Sequence, residues 1–386
     1  MNAWQEIELA NAIKTNQSSV DAAYPFQEII YLDTGSITRG KIDELQSLSI
    51  SSAPSRAKRL VKDGDIAYST VRPIQRHYGY IQNPPENLVV STGFAVITCD
   101  NNKLDSKFLY YYLSSDLIVE ELDVIAEAST STYPSLKPSD IEKLKVCFPV
   151  LLDEQKAIAA VLSSLDDKID LLHRQNKTLE VMAETLFRQW FVEEAQEDWE
   201  ARPLSRIANF LNGLACQKYP PKNNQEKLPV LKIRELSGGI LESSDWATSE
   251  MRPEYIVEAG DVIFAWSASL IVKVWDGERC VLNQHLFKVT SDEFPKWFYL
   301  MWCKHHLAEF IAISTSHATT MGHIKRGDLA AAMVSIPSPE ELKVMSEQMT
   351  PLLDKQIEIA KQRRTLEALR DSLLPKLMSG EVRVAF

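Results

Sequence analysis

Apolar residues in this chain follow two kinds of pattern, and the pair of patterns occurs twice. Short β-branched and aromatic runs bounded by turns predict strands. Ile66-Ala67-Tyr68-Ser69 and Val262-Ile263-Phe264-Ala265 each follow a Gly-Asp turn, and Phe94-Ala95-Val96-Ile97 and Leu286-Phe287-Lys288-Val289 follow polar turns. Ser106–Leu122 and Pro295–Ile313 carry apolar residues at helical spacing and predict helices. Strands with few helices and no strict alternation of the two indicate an α+β fold.

The second pattern is longer. Ile158, Leu162, Leu165, Ile169, Leu172, Asn176, Leu179, Ala183, Leu186 and Trp190 alternate spacings of four and three, a heptad seam whose one polar member is Asn176. No Pro or Gly falls between Leu151 and Arg202, so about 40 helical residues would form a rod about 60 Å long. Near the C-terminus Met345, Leu352, Ile359, Leu366 and Leu373 form one apolar line, while Met349, Gln356, Arg363, Arg370 and Leu377 form a mostly polar one. Pro351 predicts a kink, or a restart with Thr350 as N-cap, and Pro375 predicts an end or bend of the last turns. A solitary amphipathic rod would leave its seam in water. The partner of equal length is the second rod, and modules at both ends make an antiparallel pairing natural. The alternative is that each helix packs only on its own module.

The recurrence is a duplication. Leu165-Asp166-Asp167-Lys168 returns as Leu352-Leu353-Asp354-Lys355, an offset of 187, and Leu136-Lys137-Pro138-Ser139-Asp140-Ile141 returns as Ile324-Lys325-Arg326-Gly327-Asp328-Leu329, an offset of 188. Lys107-Phe108-Leu109-Tyr110 matches Lys296-Trp297-Phe298-Tyr299, Gly64-Asp65-Ile66 matches Gly260-Asp261-Val262, and Trp4 with Leu9 matches Trp199 with Leu204. The period is far too long for a solenoid, whose units run about 20–50 residues. It fits a large module copied once.

Composition narrows the class. The 386 residues carry a net charge of −11, and five scattered cysteines without a C-x-x-C fit a reducing cytoplasm. No long apolar window or basic-then-apolar N-terminus predicts a membrane span or a signal peptide. Motifs for chemistry are missing. Asn83-Pro84-Pro85-Glu86 lacks the aromatic residue of an adenine-methyltransferase motif, no Walker A sequence is present, and the histidines and cysteines have no metal-ligand spacing. The expectation is a chain with no catalytic residues, no metal and no cofactor of its own.

Charge is unevenly spread. Arg39–Arg76 holds eight basic residues against four acidic, Lys218–Arg234 five against one, and Asp153–Glu200 five against twelve. The deficit sits on the rod, and each module keeps a basic segment suited to phosphates. Candidate DNA-binding residues are Arg39, Arg56, Lys58, Arg59, Arg72 and Arg76 in the first module and Lys218, Lys222, Lys232 and Arg234 in the second. Base readout needs paired donors and acceptors. That adds Ser131, Thr132 and Tyr133, the corresponding Thr315, His317, Thr319 and Thr320, and Asn283-Gln284-His285 at the opening of a strand. An ordinary loop role is the competing reading for each.

Two variable modules, each followed by a long helix, resemble the specificity subunit of Type I restriction–modification enzymes. The similar segments include Pro149–Phe191 with its Asp-Glu-Gln-Lys opening and Leu-Phe-Arg-Gln-Trp-Phe close, Leu228–Arg234, Gly260–Ser267, Leu282–Val289, Thr319–Ile324 and Leu374–Gly380. The resemblance implies two target recognition domains, 1–150 and 198–338, joined by two long spacer helices, 151–197 and 339–386, that form an antiparallel coiled coil. Each domain would read one half of a bipartite double-stranded DNA target. The helices would set the spacing and dock two modification methyltransferase subunits, which carry S-adenosylmethionine. The resemblance leaves room for a restriction subunit with its own ATP and Mg²⁺. Pro351 and the polar second line depart from an even duplication, so the two halves need not bind partners equally. A methyltransferase or nuclease fused to readers, and a coiled-coil scaffold that binds only protein, are the alternatives; cofactor binding by the purified chain would support the first.

Overall fold

The computed structural model describes residues 4–129, 133–241, 243–316 and 322–385. Contacts divide the chain into two compact units, Met1–Asp167 with Glu367–Phe386, and Lys168–Leu366. Among the described residues three sheets of the first unit repeat the three of the second strand for strand, and the first unit adds a two-stranded sheet of Ile37–Thr38 and Lys41–Ile42.

In the first unit Trp4–Glu8 pairs antiparallel with Lys145–Pro149. A four-stranded sheet orders Gln46–Ser49, Glu28–Leu32, Leu88–Ser91 and Ala57–Leu60, with its two central strands parallel. A second sheet orders Ile13–Thr15, Phe94–Cys99, Ile66–Ser69 and Tyr78–Tyr80. In the second unit Glu200–Pro203 pairs with Met333–Ile336. Trp246–Thr248, Lys227–Leu231, Cys280–Leu282 and Ile256–Val257 form the mixed sheet, and Asn209–Asn212, Leu286–Thr290, Val262–Ala265 and Ile271–Val274 form the other. The duplication read in sequence is therefore a duplication of topology.

The repeated motifs turn out to be local switches between elements. Lys137-x-x-Asp140 and Lys325-x-x-Asp328 begin short helices, and each Asp carboxylate accepts the Lys backbone N–H, at 2.8 and 2.7 Å. At the Gly-Asp turns Asp65 and Asp261 accept the N–H three residues upstream, at 2.9 and 2.8 Å, while Gly64 and Gly260 adopt φ of +84° and +104°.

All four predicted strands are present. Each predicted module helix is split in two. Ser106–Ser114 and Asp116–Glu127 meet at Ser115, which is extended and gives its hydroxyl to the Tyr112 carbonyl at 2.7 Å. Lys296–His305 and Leu307–Ser316 break at His306.

The first long helix runs from Leu152 to Arg188 and finishes in a π-helical turn, Gln189–Glu193. Every member of its heptad seam is buried or half-buried. The chain then turns so that Trp199 packs on Phe191, 5.4 Å between rings, and donates its indole N–H to Glu341 at 3.2 Å. The C-terminal helix is continuous from Pro339 to Met378. Of the alternatives expected at the two prolines, the restart at Thr350 and the end at Pro375 do not occur. Pro351 and Pro375 are exposed, so the carbonyl each leaves without a helical donor lies on the wet side, where water can satisfy it.

Each unit holds a stretch of both long helices, and in each the stretches run in opposite directions. In the first unit Glu154 pairs with Arg383 beyond the helix end, and Asp166 with Arg370 at 3.0 Å. In the second, Gln196 and Trp199 meet Glu341, while Ala183 shares a buried cluster with Met349 and Leu353. The fold is α+β with two modules of the same topology and an antiparallel pair of long helices. The polar second line is not solvated. Arg363 pairs with Asp276 at 2.9 Å and Arg370 with Asp166, all four side chains about a third exposed or less. Asn176 borders a cavity of about 170 Å³ within the second unit, shared with Lys273, Asp276, Lys304 and Gln356.

Candidate DNA interface

Strand pairing brings four chain segments to one edge of each module. In the first they are the end of Glu28–Leu32, the turn before Phe94, the end of Ile66–Ser69, and the segment from Tyr133 to Ser135. Val71 and Ser135 form a bridge, the Thr70 N–H donates to Gly93 O at 2.8 Å, and the Thr92 N–H donates to Arg56 O at 2.7 Å. Arg56 and Thr92 are exposed here, and the Arg56 guanidinium reaches Asp33 at 3.1 Å. Arg72 is exposed with φ of +46°, and its guanidinium lies 5.8 Å from the centre of the exposed Tyr133 ring. A left-handed arginine is a strained choice of residue, of the sort that gathers at functional sites.

The same edge of the second module has other side chains. Ser267 and His323 form the equivalent bridge, and the Trp266 N–H donates to His285 O at 3.3 Å. Ala268 takes the left-handed conformation that Arg72 holds in the first module, with φ of +56°. Trp266 stacks on Phe287, with ring centres 5.7 Å apart and planes 27° apart, and lies 5.9 Å from His285. Its indole N–H donates to Asn212 Oδ1 at 3.0 Å. Gln284 Nε2 and His285 Nε2 are 3.3 Å apart, and His285 Nδ1 faces the buried Ser267 hydroxyl at 3.1 Å. Backbone positions coincide while chemistry differs, which is the arrangement two readers of different sequences require.

The sequence candidates fall in several different settings. Arg56, Arg72 and Tyr133, and Gln284 and His285, lie on these edges. Asn283 lies beneath: it is 5% exposed, and its side-chain oxygen accepts the His285 N–H at 3.3 Å, so it holds the turn that presents its neighbours. Lys232 begins the next segment but is tied to Asp245, whose carboxyl it holds below the usual carboxylate range. Lys222 pairs with Glu250 at 2.5 Å and Arg234 with the buried Glu235 at 2.7 Å. Lys58 and Lys218 are exposed, with no ion pair among the described residues. Arg59 reaches the Ser19 hydroxyl at 3.5 Å.

Arg39 and Arg76 belong to a different place. They line a cavity of about 440 Å³ with Tyr110, Asp116 and Arg370, and Arg76 is paired with Asp116 at 2.8 Å. The Thr315 hydroxyl is spent on the Ile311 carbonyl at 2.8 Å. Ser131, Thr132, His317, Thr319 and Thr320 lie outside the described residues. Trp266, Asn212 and His323 were absent from the sequence candidates. The repeat held the signal for Trp266, which follows the second Gly-Asp strand where Thr70 follows the first.

Among the described residues no group of three or more His, Cys, Asp or Glu side chains could hold a metal ion, and no helix is long and apolar enough to cross a membrane. The family model for the Type I restriction modification DNA specificity domain matches the chain twice, at residues 6–181 and 196–368. The chain belongs to this family. It is a DNA-recognition subunit of a Type I restriction–modification system, and members of the family are not themselves catalytic. Relatives include the HindI specificity subunit of Haemophilus influenzae, 22% identical with 99% of this chain and 100% of that one covered, and the MjaIX specificity subunit of Methanocaldococcus jannaschii, 27% identical with 84% and 79% covered. A solved Type I system S subunit from M. genitalium shares the fold, with a TM-score of 0.59 at 16% identity over 97% of this chain and 96% of that one.

Proposed function

We propose that this specificity subunit reads a bipartite double-stranded DNA target, one half with residues 1–150 and the other with residues 198–338. The observation that carries this reading is the pair of equivalent strand-end edges with unlike side chains. Two half-sites of different sequence need the same backbone platform with different donors and acceptors. Arg56, Arg72 and Tyr133 would face the first half, and Trp266, Gln284 and His285 the second. Lys58 and Lys218 are exposed cations suited to phosphates, which position a protein without reading sequence. Lys232 and Arg234 would contribute only after exchanging a carboxylate partner for a phosphate.

The long helices, 151–197 and 339–386, would fix the gap between half-sites and dock two modification methyltransferase subunits, which bring S-adenosylmethionine. A restriction subunit using ATP and Mg²⁺ would complete a cleaving assembly. The complex would work in the cytoplasm, where chromosomal DNA is accessible.

The test is co-expression with the cognate modification subunit in a host lacking adenine methylation, followed by genome-wide mapping of N6-methyladenine. A split motif with a fixed gap is expected. Methylation at a single contiguous half would refute two active readers, and a stable complex without methylation would point to a protein scaffold.

A further inference from the structure

We infer that Arg72 reads a guanine in the half-site of the first module, with Tyr133 holding its guanidinium in place. The inference rests on the bipartite reading above and deepens it.

The backbone at Arg72 is fixed on both sides. Its N–H donates to Pro134 O at 3.1 Å, its carbonyl accepts the Gln75 N–H at 2.9 Å, and the preceding Val71 is bridged to Ser135. This turn holds Arg72 left-handed, with φ of +46° and ψ of +72°. Glycine would adopt that conformation without strain, so the arginine is kept there at a cost. The second module repeats the backbone. Ala268 is left-handed too, its N–H donates to Gly322 O at 2.8 Å, and Ser267 before it is bridged to His323. The turn belongs to the shared platform, and the side chain it carries is what differs between the modules.

The Arg72 side chain is exposed, and among the described residues it has no ion pair, whereas Arg56, Arg76, Lys222, Lys232 and Arg234 each hold a carboxylate. Its guanidinium lies over the Tyr133 ring, 5.8 Å from the centre. A cation–π contact restrains the guanidinium plane and leaves its rim of N–H donors unspent. Phosphates recur at every base pair, and a mobile cation such as the exposed Lys58 suffices for them. A base edge is planar and sits in one place, which a restrained planar fork matches.

A guanidinium only donates. On the major-groove edge guanine alone offers two acceptors, O6 and N7; adenine sets its N6 donor beside N7, thymine has one acceptor beside a methyl, and cytosine has a donor. Arg72 can therefore make two bonds to guanine and at most one to any other base.

The experiment maps N6-methyladenine produced by the co-expressed complex carrying wild-type chain, Arg72→Gly, Arg72→Gln, Tyr133→Leu or Tyr133→Phe. Arg72→Gly removes the side chain and relaxes the backbone, so it keeps the fold. With it one G·C position in one half of the motif should become degenerate. Discrimination there should fall roughly 10- to 100-fold, the range for losing one bidentate contact, while the other half stays unchanged. Arg72→Gln should shift the same position toward A·T, because a Gln amide pairs with adenine N6 and N7. Tyr133→Leu should keep guanine preferred with weaker discrimination, and Tyr133→Phe should restore it.

An affected position that is A·T in the wild-type motif overturns the inference. So does an Arg72→Gly methylome identical to wild type, or one that weakens at every site with the motif intact, the signature of a phosphate contact. A Tyr133→Leu methylome identical to wild type overturns the positioning role of the ring. If Arg72→Gln fails to fold, Arg72→Gly decides alone. A wild-type chain that yields no split motif defeats the underlying bipartite reading instead.

Discussion

Replacing Gly213 by Ala should cost the second module stability although it adds a single methyl group. Gly213 does not have a positive φ, so the effect is steric rather than conformational. A Cβ there would stand 2.5 Å from the Asn283 carbonyl carbon and 2.6 Å from Leu282 O, and closer still to Asn283 O. These are backbone atoms of a sheet, with no rotamer to move to, and ordinary carbon contacts need about 3.5–4.0 Å. The segment must shift by about 1 Å, for which overpacking costs of about 1–3 kcal/mol are the expectation. For a unit of this size each kcal/mol lowers Tm by about 2–4 °C, so a loss of about 2–12 °C is expected. Gly238→Ala is the matched control. Gly238 ends a helix, a Cβ there meets nothing within 4 Å, and Ala is the better helix former, so Tm should hold or rise by about 2 °C. Scanning calorimetry of the full chain reads both. A Gly213→Ala transition within 1 °C of wild type, or equal shifts in the two variants, would refute the argument. The shift should also blur one half of the methylation motif, because Asn283 holds the turn that presents Gln284 and His285.

Four further outcomes are expected. Burial alone would raise the Glu235 carboxyl, but the Arg234 guanidinium and the Ser244 hydroxyl more than offset it and hold it below its ordinary 4.5. Its contribution is present above that value and is lost as pH falls through the lowered one, so acid should destabilise wild type more than Glu235→Gln in melts between pH 5 and 3. Asp276→Asn leaves Arg363 and Lys273 without a carboxylate they meet at 2.9 and 3.0 Å, and should cost about 1–3 kcal/mol in urea unfolding. Lys58→Ala should reduce the log–log salt slope of DNA binding by about 1 and leave the motif unchanged, whereas a changed motif would assign Lys58 to a base. Seven residues inserted in heptad phase after Leu172, with seven more after Gln362, should alter the gap of the methylation motif; an unaltered gap would exclude the helices from setting it.

Sequence alone determined the elements whose cause is local. The heptad seam of 158–190 and the strands after the Gly-Asp turns are legible because each is enforced by residues within a few positions of one another. Duplication was legible for the same reason, since the same local causes recur in the same order. Tertiary structure decided what depends on distant partners. Pro351 ends no helix because its face is wet, and the arginines of the polar second line are held by Asp276 and Asp166, far away in the chain. The basic segments looked free in sequence, yet Arg56, Arg76, Lys222, Lys232 and Arg234 each find a carboxylate in the fold. Asn283 and Gln284 are neighbours of similar chemistry, but alternation along the backbone buries one and turns the other toward the edge. The pairing of Trp266 with Asn212 joins residues 54 apart. No local pattern announces it, because it exists only after the sheet has set its strands side by side.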